Sequence, residues 1–202
     1  DLPVELALLP FIESQFDPYA QSSTGASGIW QFILSTAREQ KLKKNWWYDG
    51  RRDIVASTDA AFNYLTNLYN KYDDWLLAIA AYNAGPNRIL KEIKKNKAKG
   101  LPIDFWSLKL PKETKAYVPK LLALVEVIKN PDKFSVVIPN LPNRPYFQLV
   151  TLPSQVDLMQ VANISGLKLE VIYELNPGFN QWATDPNGPF HILLPVGIAD
   201  RF

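Results

Sequence analysis

The chain of 202 residues is long enough for one mid-sized domain, or for a domain and a small module, with a real hydrophobic core. Its net charge of +2 excludes an electrostatic case for nucleic acid or an anionic membrane surface as the partner. The sequence has no cysteine, no signal peptide and no apolar run of transmembrane length, and its abrupt start predicts a processed or trimmed chain.

The first predicted element is a helix in which a carboxylate interrupts an apolar stripe. Five positions at helical spacing share one face: Leu2, Leu6, Leu9, Glu13 and Phe16. Glu13 therefore takes the place of a core leucine. Apolar surroundings disfavour the charged form and raise the pKa of a carboxyl group, so Glu13 is a candidate general acid. The alternative is that Glu13 is a solvated rim residue or one partner of an ion pair.

The rest of the chain predicts an α+β fold. Residues up to about 134 are mainly helical, with helices near 27–40, 57–71, 74–83, 86–97 and 112–129. A proline-rich connector follows at 135–145. Residues 146–202 then predict a βααβ unit: a strand at 146–152, helices at 156–164 and 169–175, and a strand at 191–194.

Three stretches carry polar side chains that core packing alone does not explain: residues 13–32, 80–85 and 111–118. In the first, Gly25 and Gly28 bracket a small loop, predicted to turn into a helix with Gln31 near its start, that lets the backbone approach a ligand closely. In the second, Tyr82 and Asn83 lie at a predicted helix end, where a plain C-cap is the alternative reading. Trp30, Trp46 and Trp47 either stack on sugar rings or fill the core.

Taken together, these stretches resemble the catalytic domain of the soluble-type lytic transglycosylases, relatives of goose-type lysozyme. That family carries Glu-Ser, Gly-Ala-x-Gly-(Leu/Ile)-x-Gln, Ala-Tyr-Asn-Ala-Gly and Glu-Thr-x-x-Tyr-Val, and the chain has all four in order. Trp30, in place of the usual methionine, makes the membrane-bound D-type subgroup the nearest. The resemblance implies a mainly α-helical lysozyme-like domain at 1–134. The tail at 146–202 is similar to a divergent LysM module, which either binds glycan or acts as a packing or spacer unit.

The resemblance also implies a reaction and its residues. The implied substrate is the glycan strand of peptidoglycan, cut between N-acetylmuramic acid and N-acetylglucosamine with formation of 1,6-anhydro ends. Glu13 aligns with the single catalytic acid/base. The substrate-binding positions that match are Ser22, Gln31, Tyr82, Asn83 and Tyr117. No cofactor or metal is expected, and His191 is interpreted as structural.

Three functional readings remain open at this point. The absence of a convincing second catalytic carboxylate favours transglycosylation, since ordinary glycosidases need two. A goose-type muramidase that hydrolyses the same bond, or a non-catalytic wall-binding protein, are the alternatives. We expect a monomeric periplasmic protein, with outer-membrane contact only through a lipid anchor outside this chain.

Overall fold

The computed structural model describes residues 2–201, and the side chains of residues 2–200, so Asp1 and Phe202 of the predicted domains lie outside the described residues. The described part is α+β, as predicted. Its helices are α1 (Leu9–Ser14), α2 (Leu34–Glu39), α3 (Ile54–Tyr72), α4 (Trp75–Ala84), α5 (Pro86–Ala98), α6 (Lys112–Lys129), α7 (Leu158–Ser165) and α8 (Leu169–Leu175). The strands are β1 (Phe147–Thr151) and β2 (His191–Pro195). Short 3-10 turns lie at Val4–Leu8, Phe105–Ser107, Pro131–Phe134 and Ala199–Arg201.

The contacts of the chain divide it into two compact units. The first unit comprises Asp1–Ile12 and Ala61–Pro139, and the second comprises Glu13–Ala60 and Asn140–Phe202. Residues 13–60 are thus grouped with the C-terminal module. The domains predicted from the sequence, by contrast, are contiguous segments of the chain. Their boundaries stay a prediction.

The first unit is built around the buried helix α4. Asp74 caps its start, because the Asp74 carboxylate accepts hydrogen bonds from the backbone N–H groups of Leu76 and Leu77. The helix ends at Gly85, whose φ of 87° is accessible mainly to glycine. Pro86 then opens α5, where its missing N–H costs nothing. Helix α4 packs against both α5 and α6.

In the second unit, the predicted helix at 27–40 is wrong over its first half. Only α2, from residue 34 onwards, is helical, and residues 27–33 form a loop. The cause is local: Gly28 has a φ of 83° and Gln31 a φ of 50°, and neither value is compatible with a right-handed helix. The loop that begins at Gly25 therefore extends past Gln31 instead of turning into a helix there.

The C-terminal part of the second unit is the predicted βααβ arrangement. Strands β1 and β2 pair antiparallel, with Leu149 opposite Leu193 and Thr151 opposite His191. Helices α7 and α8 cover the sheet through a core that also contains Tyr48, from the preceding part of the chain. The members of this core are Tyr48, Leu152, Leu158, Val161, Ala162, Ile172, Phe179, Ile192 and Leu194.

Within the part of the chain that the structure describes, no helix combines the length and the apolar character that crossing a bilayer requires.

Candidate active site

Glu13 lies near the end of helix α1. The preceding turns bury Leu6 and Leu9, as the stripe predicts, whereas Glu13 itself is half-buried. Residues Gln15 and Phe16 adopt left-handed backbone angles, so the helix ends at Ser14 and Phe16 is 49% exposed. The predicted continuation of the buried face to Phe16 is therefore wrong. Glu13 is the last acidic side chain of the helix, at the edge of its buried face.

The helix end that carries Glu13 is fastened to the loop that follows it in the second unit. The Ser14 hydroxyl donates a hydrogen bond of 3.0 Å to the carbonyl oxygen of Ile29. This bond ties the Glu-Ser segment to the Gly-Ala-Ser-Gly-Ile segment, 15 residues further along the chain. Two of the motifs that carry the resemblance are thus in direct contact.

Gln31 supports this loop from within. Its side-chain amide donates hydrogen bonds to the carbonyl oxygens of Ala20, at 3.1 Å, and Gly28, at 2.8 Å. The backbone N–H of Gly28 donates to the same Ala20 oxygen. Gln31 is half-buried, with its NH₂ group committed to the loop, so any polar contact with a ligand falls to its carbonyl oxygen.

Ser22 lies in an exposed turn of the same loop. Its hydroxyl accepts a hydrogen bond from the backbone N–H of Ala26 at 3.0 Å and lies 2.9 Å from the hydroxyl of Thr24. The turn therefore holds the Ser22 hydroxyl in place while leaving it open to solvent. A fixed and accessible hydroxyl is suited to contact a sugar.

Beneath the loop lies a buried ion pair, as the position of Asp49 among arginines in the sequence predicts. Arg51 donates two hydrogen bonds to the carboxylate of Asp49, at 2.9 and 2.7 Å, and both residues are at most 5% exposed. The guanidinium also donates to the carbonyl oxygens of Gly25, at 2.7 Å, and Phe32, at 3.3 Å. Burial works to raise the pKa of Asp49, but the Arg51 bonds and charge prevail and hold this pKa below its ordinary value. Arg51 thereby links both ends of the loop, at Gly25 and Phe32, to the Asp49 carboxylate. We call the Asp49–Arg51 pair the anchor of the loop.

Gly28 lies directly against this anchor. A Cβ atom at Gly28 would come within 1.8 Å of the Arg51 carbonyl oxygen, so only glycine fits there. The Gly-x-x-Gly spacing in the sequence indicates the loop, and the Asp-Gly-Arg stretch at 49–51 indicates its charged partner.

Asp53 forms a second buried acidic centre in this unit. The Tyr48 hydroxyl donates to the Asp53 carboxylate at 2.9 Å, and the His191 ring lies 2.9 Å from the same oxygen. Burial works to raise the pKa of Asp53, but hydrogen bonds from His191, the Ala56 backbone and Tyr48 lower it below its ordinary value. His191 is thus part of a structural hydrogen-bond network.

The remaining predicted site residues belong to the first unit. Asn83, in the last turn of α4, accepts a 2.8 Å hydrogen bond from the hydroxyl of Thr114 and donates one of 3.2 Å to Glu113. The Tyr82 ring is half-buried, with its centroid 5.7 Å from that of Tyr64. The structure thus brings together the Tyr-Asn and Glu-Thr motifs through Asn83 and Thr114.

Two of the aromatic residues named above are almost fully buried. Tyr117, in α6, is only 6% exposed. Trp30 is 2% exposed, and its indole N–H donates to the Thr58 hydroxyl at 2.9 Å, so Trp30 belongs to the core. Among the described residues, no three histidine or acidic side chains come close enough together to hold a metal ion.

Comparison with known proteins assigns the chain to a family. The transglycosylase SLT domain family matches residues 1–103. The chain belongs to this family. Residues 146–202 match the LysM-like domain of lytic transglycosylase MltD, so the resemblance of both parts is confirmed.

Individual relatives cover different shares of the chain. Membrane-bound lytic murein transglycosylase D of Escherichia coli K12 is 45% identical over 202 residues, which is the whole chain but only 45% of that protein. A protein of Alteromonas sp. strain M-1, provisionally named for tributyltin chloride resistance, is 40% identical over 143 residues, or 70% of this chain and 69% of its own. Membrane-bound lytic murein transglycosylase F of Desulfosudis oleivorans is 33% identical over 100 residues, 45% of this chain and 21% of its own. The chain thus spans less than half the length of its D-type relatives.

Proposed function

We propose that this chain is the catalytic part of a peptidoglycan lytic transglycosylase that cuts the β-1,4 bond between N-acetylmuramic acid and N-acetylglucosamine. Membership of the SLT family and the name of the D-type relatives support the activity. The observation that carries the assignment of Glu13 is the Ser14–Ile29 hydrogen bond. It fixes the end of α1 against the loop that holds Ser22 and Gln31, so an acid, a hydroxyl and an amide belong to one connected structure.

The proposed mechanism uses Glu13 twice. Protonated Glu13 gives its proton to the glycosidic oxygen, and the bond from that oxygen to C1 of the muramic residue breaks. The C6 hydroxyl of the same residue then bonds to C1 and returns its proton to Glu13. No water is consumed, because the nucleophile is already attached to the substrate and correctly oriented. Glu13 ends the cycle in its starting protonation state.

Four carboxylates of the second unit, besides Glu13, already have structural partners. Asp49 is held by Arg51, Asp53 by His191 and Tyr48, and Asp185 by Lys43 and Asn45. The Asp17 carboxylate accepts from the backbone N–H of Tyr19 in a turn. Each of these four carboxylates has a structural role, which supports transglycosylation over two-carboxylate hydrolysis.

The other residues keep the roles that the resemblance implies. Ser22 contacts the substrate near the anomeric centre, and Gln31 and Asn83 hydrogen-bond the sugar acetamido groups or the developing charge. Tyr82, Asn83 and Tyr117 contact sugar groups, with Asn83 offering an amide oriented by Thr114. We propose a periplasmic monomer, with outer-membrane contact through a lipid anchor outside this chain, and the membrane-bound name of the relatives supports this location.

The test is cleavage of purified sacculi followed by mass spectrometry of the released muropeptides. We expect anhydro ends, which are one water lighter than reducing ends, and we expect Glu13→Gln to release none while its melting temperature stays unchanged. The matched control is Glu39→Gln, an exposed glutamate in α2, which should retain activity. Reducing ends alone would identify a muramidase. Sacculus binding by the unmodified chain without release would identify a wall-binding protein.

A further inference from the structure

Three tryptophan side chains form an exposed cluster in the second unit. Trp46 and Trp47 come from the loop before Tyr48, and Trp182 comes from the segment between α8 and β2. The ring centroids are 4.7 Å apart for Trp46 and Trp47, 5.9 Å for Trp46 and Trp182, and 5.5 Å for Trp47 and Trp182. We call these three residues the tryptophan platform.

The rings of the tryptophan platform meet edge to face instead of stacking. Interplanar angles are 85°, 80° and 63°. Trp46 is 59% exposed and Trp182 is 57% exposed, whereas Trp47 is half-buried between them. In this geometry the indoles do not cover one another completely, and apolar ring surface stays in contact with water. Exposed apolar surface of this kind is typical of binding sites.

Hydrogen bonds to backbone groups of both segments hold the platform in place. Asn45 accepts from the N–H groups of Trp47 and Tyr48, both at 2.9 Å. The two segments are also joined to each other: the Asn180 N–H donates to the Trp47 carbonyl at 2.8 Å, and the Gln181 side chain donates to the Trp46 carbonyl at 3.1 Å. Binding to a preformed surface orders few additional groups, so little affinity is lost to entropy.

A backbone hydrogen bond to the LysM-like module also holds Trp182 in place. Its carbonyl oxygen accepts a hydrogen bond of 2.8 Å from the backbone N–H of Leu158, the first residue of α7. The rings therefore come from two segments that share one hydrogen-bonded framework. Neither segment alone would present all three.

The charges around the platform favour a neutral occupant. The nearby cations are already paired, since Lys43 lies 2.8 Å from Asp185 and Lys44 lies 3.8 Å from Asp49. The Arg52 guanidinium donates to the side-chain oxygen of Asn180. The segments that carry the rings also carry amide side chains, those of Asn45, Asn180 and Gln181. Apolar ring surface with amides at its edge is complementary to a pyranose, which has an apolar C–H face and a rim of hydroxyl and acetamido groups.

We propose that the tryptophan platform binds the N-acetylhexosamine backbone of a glycan strand and anchors the protein on it, apart from bond cleavage. The inference rests on the proposed function, because that function supplies the polymer. In contrast to a binding role for the LysM-like tail alone, the platform needs the loop at 45–48 as well as Trp182. A glycan held there keeps the enzyme on its polymeric substrate between cuts.

The test uses the full chain in a Glu13→Gln background, so that binding is measured without cleavage. The probes are purified sacculi, in a co-sedimentation assay, and a hexamer of N-acetylglucosamine, titrated calorimetrically. We expect the double variant Trp46→Ala/Trp182→Ala to bind both about tenfold more weakly, and Trp46→Tyr/Trp182→Tyr to retain most of the binding. Trp106→Ala, which removes a tryptophan that is 62% exposed and packs against Phe105, is the matched control and should bind normally.

The outcomes separate this proposal from the proposed function. With Glu13 intact, the double alanine variant should still cleave a short soluble glycan at the rate of the parent. Equal binding by the double variant and its parent would overturn the platform while leaving the transglycosylase assignment untouched. If the parent chain with Glu13 intact cleaves no glycan at all, the proposed function is wrong instead. If light scattering shows a parent dimer that the double variant abolishes, the platform is an interface between copies, and the glycan proposal is wrong.

Discussion

The ring of His191 and the carboxylate of Asp53 lie 2.9 Å apart, although 138 residues separate them in the chain. The contact joins the start of strand β2 to the residue that precedes helix α3. The hydroxyl of Tyr48 shares the same carboxylate oxygen. A single buried acid therefore connects the segment at 48–53 with the C-terminal module.

This contact predicts how stability depends on pH. The pKa of Asp53 is lowered in the folded chain, so its contribution to stability is fully present above the unfolded pKa of about 3.9 and is lost as the pH falls through the lower folded value. Asp53→Asn should cost about 1–3 kcal/mol at pH 7 and flatten the decline in the free energy of unfolding below about pH 5. Urea denaturation between pH 7 and pH 3 measures both effects. The control is Asp59→Asn, at an exposed position of α3. An unchanged slope in Asp53→Asn would contradict the prediction.

Arg51 should be among the most sensitive positions of the second unit. Arg51→Ala leaves the Asp49 carboxylate buried without its partner and frees the carbonyl groups of Gly25 and Phe32, which should cost about 3–5 kcal/mol. Arg51→Lys should recover little, since an ammonium group cannot reproduce the forked bond to Asp49. Chemical denaturation at pH 7 measures the free energy of unfolding of each variant. A loss below 1 kcal/mol in the alanine variant would show that the pair is dispensable.

Two glycines of the same loop allow a matched comparison. Both have positive φ, 80° at Gly25 and 83° at Gly28, so alanine carries a backbone cost of about 1–2 kcal/mol at either position. At Gly25 the added methyl group meets open space, whereas at Gly28 it lies 1.8 Å from the Arg51 carbonyl oxygen. Gly28→Ala should therefore lose considerably more stability than Gly25→Ala, as measured by thermal unfolding. Equal losses of stability in the two variants would contradict the prediction, since they would mean that the backbone around Arg51 shifts at no energetic cost.

Thr114 is predicted to act as a positioning residue for Asn83. Thr114→Val keeps the shape of this buried side chain but removes the hydroxyl that donates to the Asn83 amide oxygen. We expect a loss of about 1–2 kcal/mol in stability and a lower kcat/KM on sacculi, with recovery of both in Thr114→Ser. A purely structural role would lower stability in Thr114→Val but leave the kinetics of the folded fraction unchanged, and steady-state assays below the melting temperature distinguish these cases.

Much of the helical framework could be predicted because local signals decide it. Pro86 after Gly85 marks a helix boundary in the sequence, and the structure has one there. Helix α6 has the predicted bounds even with Pro119 inside it. By contrast, the loop at 27–33 resembled a helix because residue spacing cannot detect the positive φ that Gly28 and Gln31 adopt.

The parts that could not be predicted depend on contacts between distant segments. Nothing near Arg51 in the sequence shows that it bonds to Gly25 and Phe32, or that Asp53 meets His191. Trp182 carries no local signal for the same reason, because its neighbours are two tryptophans 135 or more positions earlier in the chain. A single sequence shows residue types and spacing, but the pairing of remote side chains requires coordinates.

Tyr48 has a further consequence for how this protein can be rearranged. Its side chain is 2% exposed and belongs to the same hydrophobic core as Leu158, Ile172 and Ile192 of the LysM-like module. A fragment cut at residue 146 would leave a hole where this tyrosine packs. The module therefore cannot be exchanged as an independent unit. A graft onto another enzyme, whether made by recombination or by design, must include the loop around Tyr48 or replace its side chain in the core.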